Sequence, residues 1–143
     1  MATSGRRLAA GKVYRREAVS ASHLEAFHQL EVLVADERPR LDAWGFAGSI
    51  LRAVDAALPG TVTRMGPTEY PFCSRAWQLD VDDRGRWVEI MAFGEHAPFV
   101  VRAMGGEPDR LAVFGAGFGL ERIACLRFGI DDVRKVEEAR VEG

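Results

Sequence analysis

With 143 residues, 48% of them hydrophobic and 28% charged, the chain has the size of one domain and enough apolar material for one core. Its formal net charge of -2 argues against a protein that holds nucleic acid mainly by charge, because such a surface must be basic. No apolar run approaches the ~18 residues that a membrane-spanning helix needs, and no apolar stretch of a secretory signal follows the basic N-terminal residues.

Residues 12–16 read as a short strand, and 17–26, with Ser20, Ser22 and His23, as a polar loop. From 27 to 36 the residues alternate. Phe27, Gln29, Glu31 and Leu33 share one face; His28, Leu30, Val32 and Val34 share the other. The second face is mostly apolar and must pack. The first carries polar groups at its middle, as a strand does whose open side is a binding surface. A hairpin joins the two strands. Residues 41–58 place Leu41, Trp44, Leu51, Val54 and Leu58 at helical spacings, with Asp42 in the first turn and Pro59-Gly60 as a stop. An amphipathic helix follows. Trp77, Leu79 and Val81 alternate with Gln78 and Asp80; a turn over 82–85 and a strand over 86–93 complete a second hairpin. Pro98 at a first helical position predicts a short helix to Met104, ended by Gly105-Gly106. Residues 111–118 read as a strand and 120–128 as a helix with Gly129 just past its end. Residues 133–143 read as a solvated tail or the frayed end of a helix. The expected fold class is α+β, an antiparallel sheet with helices on one face. Cys73 and Cys125 lack metal-ligand spacing and read as reduced core thiols of a cytoplasmic protein.

The stretch richest in chemistry is Val113-Phe114-Gly115-Ala116-Gly117-Phe118-Gly119-Leu120-Glu121-Arg122. Three alternating glycines open directly into a helix. Without Cβ atoms they let a ligand approach the backbone closely. The helix N-terminus offers free N–H groups and a positive dipole end, and Arg122 adds a planar cation suited to phosphate. The spacing is neither that of a dinucleotide-binding turn nor that of a Walker loop. Alone, such glycines are a weak signal, better explained by structure than by a ligand.

Two other segments align with this one in meaning. One is Gly11-Lys12-Val13-Tyr14-Arg15-Arg16-Glu17, then His23, then Phe27-His28-Gln29 with Glu31. The other is Trp87-Val88-Glu89-Ile90. After Arg122 the chain continues to Leu126-Arg127-Phe128-Gly129-Ile130, then Asp132 and Arg134. In this order, from Gly11 to Arg134, the segments resemble the catalytic core of class II aminoacyl-tRNA synthetases, in particular the α chain of the phenylalanyl branch. Arg15 with Glu17 matches the family's motif 2, and Gly117, Gly119, Glu121 and Arg122 match motif 3.

The resemblance implies a mainly antiparallel sheet flanked by helices that binds ATP in a bent form, with Mg²⁺, and activates a small carboxylic or amino acid. It implies Arg15 and Arg122 as catalytic residues. Arg15 would clamp the α-phosphate and the reacting carboxylate, where a guanidinium stabilises charge developing on phosphorus. Glu17 would accept the adenine amino group, His23 would reach an outer phosphate, and Phe27 would stack on adenine. Arg122 would grip the γ-phosphate or cover adenine from its other side, above Gly117 and Gly119. Glu89, expected on one strand face with Trp87 and Met91, would ligate phosphate-bound Mg²⁺. Gln29 and Glu31 would hold an ammonium group; Tyr70, Phe72, Phe93, Gly94 and Gly115 would surround the amino-acid side chain. Each residue also has a plainer reading, such as a surface ion pair between Arg15 and Glu17 worth under about 1 kcal/mol.

The sequence departs from the family's pattern in the amino-acid pocket. Cys73-Ser74-Arg75-Ala76-Trp77-Gln78 replaces a Thr-Glu-Pro-Ser-like string, Ala92-Phe93-Gly94 replaces Gly-Cys-Gly, and Ala97-Pro98-Phe99 replaces His-Pro-Asn. Gly115 and Ala116 are smaller than their counterparts, and Val32 stands for a glycine. Ala92 and Phe93 are therefore expected to fill the pocket, and Gly115 and Ala116 to enlarge it, so phenylalanine is not the expected substrate. The match starts just before motif 2, without the family's motif 1 interface. This predicts a homo-oligomer, a chain that needs a partner subunit, or a piece of a longer reading frame. Two functions stay open: an adenylate-forming enzyme whose acceptor is tRNA, a carrier protein or a small amine, and a non-catalytic paralogue that binds or regulates.

Overall fold

Leu111, Val113, Gly115, Gly117 and Gly119 point to one side of a strand, and Ala112, Phe114, Ala116 and Phe118 to the other. The fold is built around that division. The computed structural model describes residues 4–15 and 26–138. Its elements are β1 (Gly5–Tyr14), β2 (Ala26–Glu37), α1 (Ala43–Ala57), β3 (Thr63–Thr68), β4 (Cys73–Asp83), β5 (Arg86–His96), α2 (Pro98–Ala103), β6 (Leu111–Gly119), α3 (Leu120–Phe128) and α4 (Arg134–Glu138). The strands form one antiparallel sheet in the order β1-β2-β6-β5-β4-β3. This is the α+β class expected from the sequence.

On one face α1 covers the centre of the sheet. Asp42 caps it, its carboxylate accepting the Gly45 N–H at 2.7 Å. Phe46, Ala47, Ile50 and Val54 are buried, and the Phe46 ring lies 5.1 Å from Phe114 and 5.8 Å from Phe93. Leu79, Val81, Met91, Ala116 and Phe118 complete this core. The apolar stripe expected from spacing is only half right: Trp44 is 88% and Leu51 39% exposed. The buried stripe runs through Ala47, Ile50 and Val54, about a quarter turn around the helix from the Trp44–Leu51 line.

The helices do not all lie on one face. Val101 of α2 packs on Leu111 and Val113, with Leu33 and Ala35 beside them, on the side opposite α1. One face of β6 thus runs from an apolar end under α2 to three glycines that carry no side chain at all.

The β4–β5 hairpin turns at Arg84 and Gly85, with φ of 55° and 87°. Two consecutive positive φ values are what a tight hairpin with a right-handed strand twist needs, and Asp82 accepts the Gly85 N–H at 2.7 Å. Farther along, Leu79 pairs with Met91 but Asp80 with Glu89, so Ile90 is an unpaired bulge. Met91 therefore turns into the α1 core, and the expectation that it shares a face with Glu89 is corrected. β3 has no counterpart in the sequence reading, because its Gly66-Pro67 looks like a turn; an edge strand accommodates the proline, which has no N–H to give. β1 begins at Gly5, well before residue 12, and pairs along β2 as far as Ala35. It is exposed almost throughout and has no apolar alternation to read. At the other end, where a solvated tail or the frayed end of a helix was expected, Val133 is 4% exposed and the short helix α4 follows it. No helix among the described residues is long and apolar enough to cross a membrane.

Candidate functional site

The bare end of β6 is the floor of a cavity of about 350 Å³, open to solvent, on the side of the sheet away from α1. β2 brings Phe27, Gln29 and Glu31 to it, since Gln29 pairs with Gly119 and Glu31 with Gly117. β5 brings Glu89, Ala92 and Gly94, with Ala92 opposite Gly117 and Gly94 opposite Gly115. Arg15 enters just past β1, Arg122 from the first turn of α3, and Tyr70 and Phe72 from the loop before β4. Of the residues singled out in the sequence, Glu17 and His23 lie outside the described residues. All the others border this one cavity.

Two close approaches explain two of the glycines. A Cβ on Gly117 would lie 1.9 Å from Nε2 of Gln29, whose side chain lies across the floor there. A Cβ on Gly115 would lie 2.9 Å from Nε2 of His96. Gly119 meets no such neighbour within 3.7 Å, and it caps α3 without a side-chain hydrogen bond. The first-turn N–H groups of α3 therefore adjoin a stretch of floor at Gly119 that no side chain covers.

The cations of the cleft are anchored. The Arg15 guanidinium lies 4.5 Å from the centre of the Phe27 ring, a cation–π contact. Arg122 donates to the Glu89 carbonyl at 2.8 Å, tying α3 to β5 beside the bulge. Glu121, only 6% exposed, accepts the His28 N–H on both carboxylate oxygens at 2.8 and 2.9 Å and pairs with His28 Nδ1 at 2.7 Å. This buried carboxylate fastens the start of β2 to the first turn of α3 and so fixes Phe27 relative to Arg122.

At the far end the aromatic groups form a file. Tyr70 stacks on Phe72 at 5.4 Å and Phe72 meets the His96 ring at 6.0 Å. Burial, and then the nearby negative charge of Glu89, push the Tyr70 hydroxyl pKa up, so it remains a neutral hydrogen-bonding group. Burial likewise pushes up the Cys73 thiol, which borders the cleft as a free, half-buried cysteine.

The pocket departures sort by face. Phe93 borders the cavity, but its ring stacks at 5.3 Å on Trp77 and touches Phe46 in the α1 core. It is not a side-chain wall of the pocket. Ala116 and Val32 pair with each other and pack on the same hidden side. The expectations that Phe93 fills the cleft and Ala116 widens it are corrected: Ala92, Gly115 and Cys73 are the departures on the cleft face. The sequence reading missed His96, because it ended β5 at Phe93. Continued alternation from Gly94 puts His96 on the cleft face.

Residues 2–142 match the family model for tRNA synthetases class II core domain (F). The phenylalanine–tRNA ligase alpha subunit of Prochlorococcus marinus (strain MIT 9313) is 40% identical over 129 residues, covering 90% of this chain and 38% of that protein. The subunit of the same name from Nostoc punctiforme (strain ATCC 29133 / PCC 73102) is 37% identical over 130 residues, with the same coverage of 90% and 38%. The chain thus spans well under half the length of these curated relatives. Among solved structures, PylSc, a pyrrolysyl tRNA synthetase of Desulfitobacterium hafniense, is similar with a TM-score of 0.67 and 21% identity, over 92% of this chain and 45% of that one. That likeness is one of fold.

Proposed function

The chain belongs to the class II tRNA synthetase core family, and we propose that its cleft binds ATP and a small amino or carboxylic acid and joins them as an acyl-adenylate. The observation that carries this reading is the convergence of Arg15, Phe27, Glu89 and Arg122 around the Gly117–Gly119 floor. In the reaction a carboxylate oxygen attacks the α-phosphorus, the bond to the β-phosphate oxygen breaks, and pyrophosphate leaves. Arg15 and Arg122 meet the phosphate oxygens where negative charge is densest, in a site where fixed cations need little reorganisation. Phe27 supplies a ring for adenine to stack on. Arg15 lies against one face of that ring, so adenine takes the other face or displaces the guanidinium toward the phosphates. Glu17 and His23 complete the nucleotide contacts in this proposal. Gln29 and Glu31 hold the ammonium group of an amino acid, and Tyr70, Phe72, Gly94 and Gly115 surround its side chain.

Among the described residues no three His, Cys, Asp or Glu side chains form a metal cage. Mg²⁺ needs none, because it binds through one or two carboxylates and the phosphates of its substrate and keeps its waters. Glu89 is the carboxylate for that role, and the ion when bound would neutralise the departing pyrophosphate.

The exposed edge strand β1, with Leu8 72% exposed, and the exposed Trp44 support a partner subunit or a second copy covering this side. Light scattering at micromolar concentration tests this, and a monomer that catalyses exchange refutes it. The alteration of the pocket by Ala92 and Gly115 favours a second reading, a subunit that binds ligand without catalysis; the acceptor, tRNA or another nucleophile, belongs to the first. ATP–pyrophosphate exchange over a panel of acids separates the two. Exchange with any acid supports the enzyme. ATP binding by calorimetry without exchange supports the binding subunit. Equal ATP affinity in the wild type and Arg122→Ala sinks the site itself.

A further inference from the structure

Among the described residues, Nδ1 of His96 is the buried side-chain polar atom without a hydrogen-bond partner. The other ring nitrogen, Nε2, faces the position that a Cβ of Gly115 would occupy, 2.9 Å away. The ring is held between these two conditions by Phe72 at 6.0 Å and by its place at the end of β5, where His96 pairs with Cys73. A neutral imidazole has one N–H and one lone pair. A proton on Nδ1 would bury a donor with no acceptor, and orphaned buried N–H groups are rare. The proton therefore belongs on Nε2, which turns a donor into the pocket through the gap that Gly115 leaves.

We infer that the pocket selects an amino acid whose side chain carries an oxygen acceptor, held by the Nε2–H of His96 in the space beside Gly115. This rests on the proposed reading of the cleft as an amino-acid site. Gly117, where Gln29 lies across the floor and Glu31 pairs, is two positions from Gly115, about 7 Å along the strand, so an amino acid whose ammonium group is held there reaches His96 with its side chain. An apolar side chain of the same shape would cover the Nε2–H without pairing it. A site that offers a buried donor rejects an analogue lacking the acceptor far more strongly than a greasy pocket rejects one methylene.

The experiment measures equilibrium binding of free amino acids by ligand-observed NMR, in pairs that differ mainly in the acceptor: asparagine against leucine, tyrosine against phenylalanine, methionine sulfoxide against methionine. ATP binding is measured separately by calorimetry. The expected result is that at least one acceptor-bearing member binds at least tenfold more tightly than its apolar partner. In His96→Phe that preference disappears, in His96→Gln it partly returns, and ATP affinity changes in neither. The long-range ¹H–¹⁵N spectrum of His96 is expected to show protonation at Nε2. Preference for the apolar members, binding of none of the pairs, or a preference that survives His96→Phe overturns the inference. An acceptor preference in a protein that does not bind ATP supports the inference and overturns the adenylation reading instead.

Discussion

The two ends of the cleft are built by different rules. At the α3 end three charged groups are tied to the scaffold: Arg122 to the Glu89 carbonyl, Glu121 to β2, Arg15 to the Phe27 ring. At the other end the wall is a file of rings, Tyr70, Phe72 and His96, and the last of them has a nitrogen with nothing to bond. A fixed charge array suits a ligand part that never changes, because preorganised groups lose little on binding. A ring wall with one open donor suits a part chosen by shape and one hydrogen bond. One face of one sheet thus holds a charge-anchored half and a ring-walled half with no boundary between them but strand distance.

The comparison can be broken most sharply at Glu121. Glu121→Ala leaves the His28 N–H without its acceptor and is expected to destabilise the fold by about 3 kcal/mol. Thermal denaturation would read this, and an unchanged midpoint would show that the seam between β2 and α3 is not what fixes the α3 end. Arg122→Ala removes a charged donor and is expected to lower ATP affinity about tenfold to a hundredfold, with amino-acid binding unchanged; calorimetry would measure both. A loss in both would mean that the two ends are one unit. Gly115→Ala is the converse test. Its methyl meets His96 Nε2 at 2.9 Å, so amino-acid affinity is expected to fall about tenfold while ATP affinity holds, as one added carbon in a pocket does.

The smallest effect lies behind the pocket wall. Glu95 is 5% exposed and accepts from Arg38 at 2.6 Å and from Arg75 at 2.6 Å. Burial is the largest influence and would raise its pKa, but the hydrogen bonds from the two guanidiniums together outweigh it and hold the carboxyl below its ordinary value. Its contribution to stability is therefore complete above the ordinary glutamate pKa and is lost as the pH falls through the lowered one. Glu95→Gln is expected to cost about 1 kcal/mol at neutral pH and to flatten the acid limb of the stability profile. An acid limb that is unchanged in the variant would move the titration to another group.

What the sequence made legible follows from how local each signal is. The helix from Leu120 to Phe128 was predictable to the residue because Gly129, in the left-handed conformation with φ of 67°, marks its end. The faces of β2 were legible because alternation is a property of the strand itself. Trp44 and Leu51 were misplaced because helical spacing gives a periodicity but not the angle at which the sheet meets the helix. Phe93 was misassigned for a different reason: the bulge at Ile90 shifts every later face of β5 by one, and a bulge leaves no mark in composition. His96 was invisible because a single histidine carries no pattern until its strand is known to reach it. The role of Glu121 needed coordinates, since its partner is 93 residues away in the chain.

The bulge has one more consequence. Along β5, side chains keep a two-beat phase, and Ile90 is the extra beat. Removing a single residue of this strand other than Ile90 or Met91, which both pack into the α1 core, would turn the strand segment on one side of the cut over. Removing Ile90 would instead restore a regular ladder, with Glu89 still toward the cleft and Met91 still toward α1. It would cost the burial of a side chain that is 2% exposed, about 2–3 kcal/mol of apolar contact. The position at which this hairpin can lose a residue without losing its reading frame is therefore a buried one, so its phase and its packing can be altered separately.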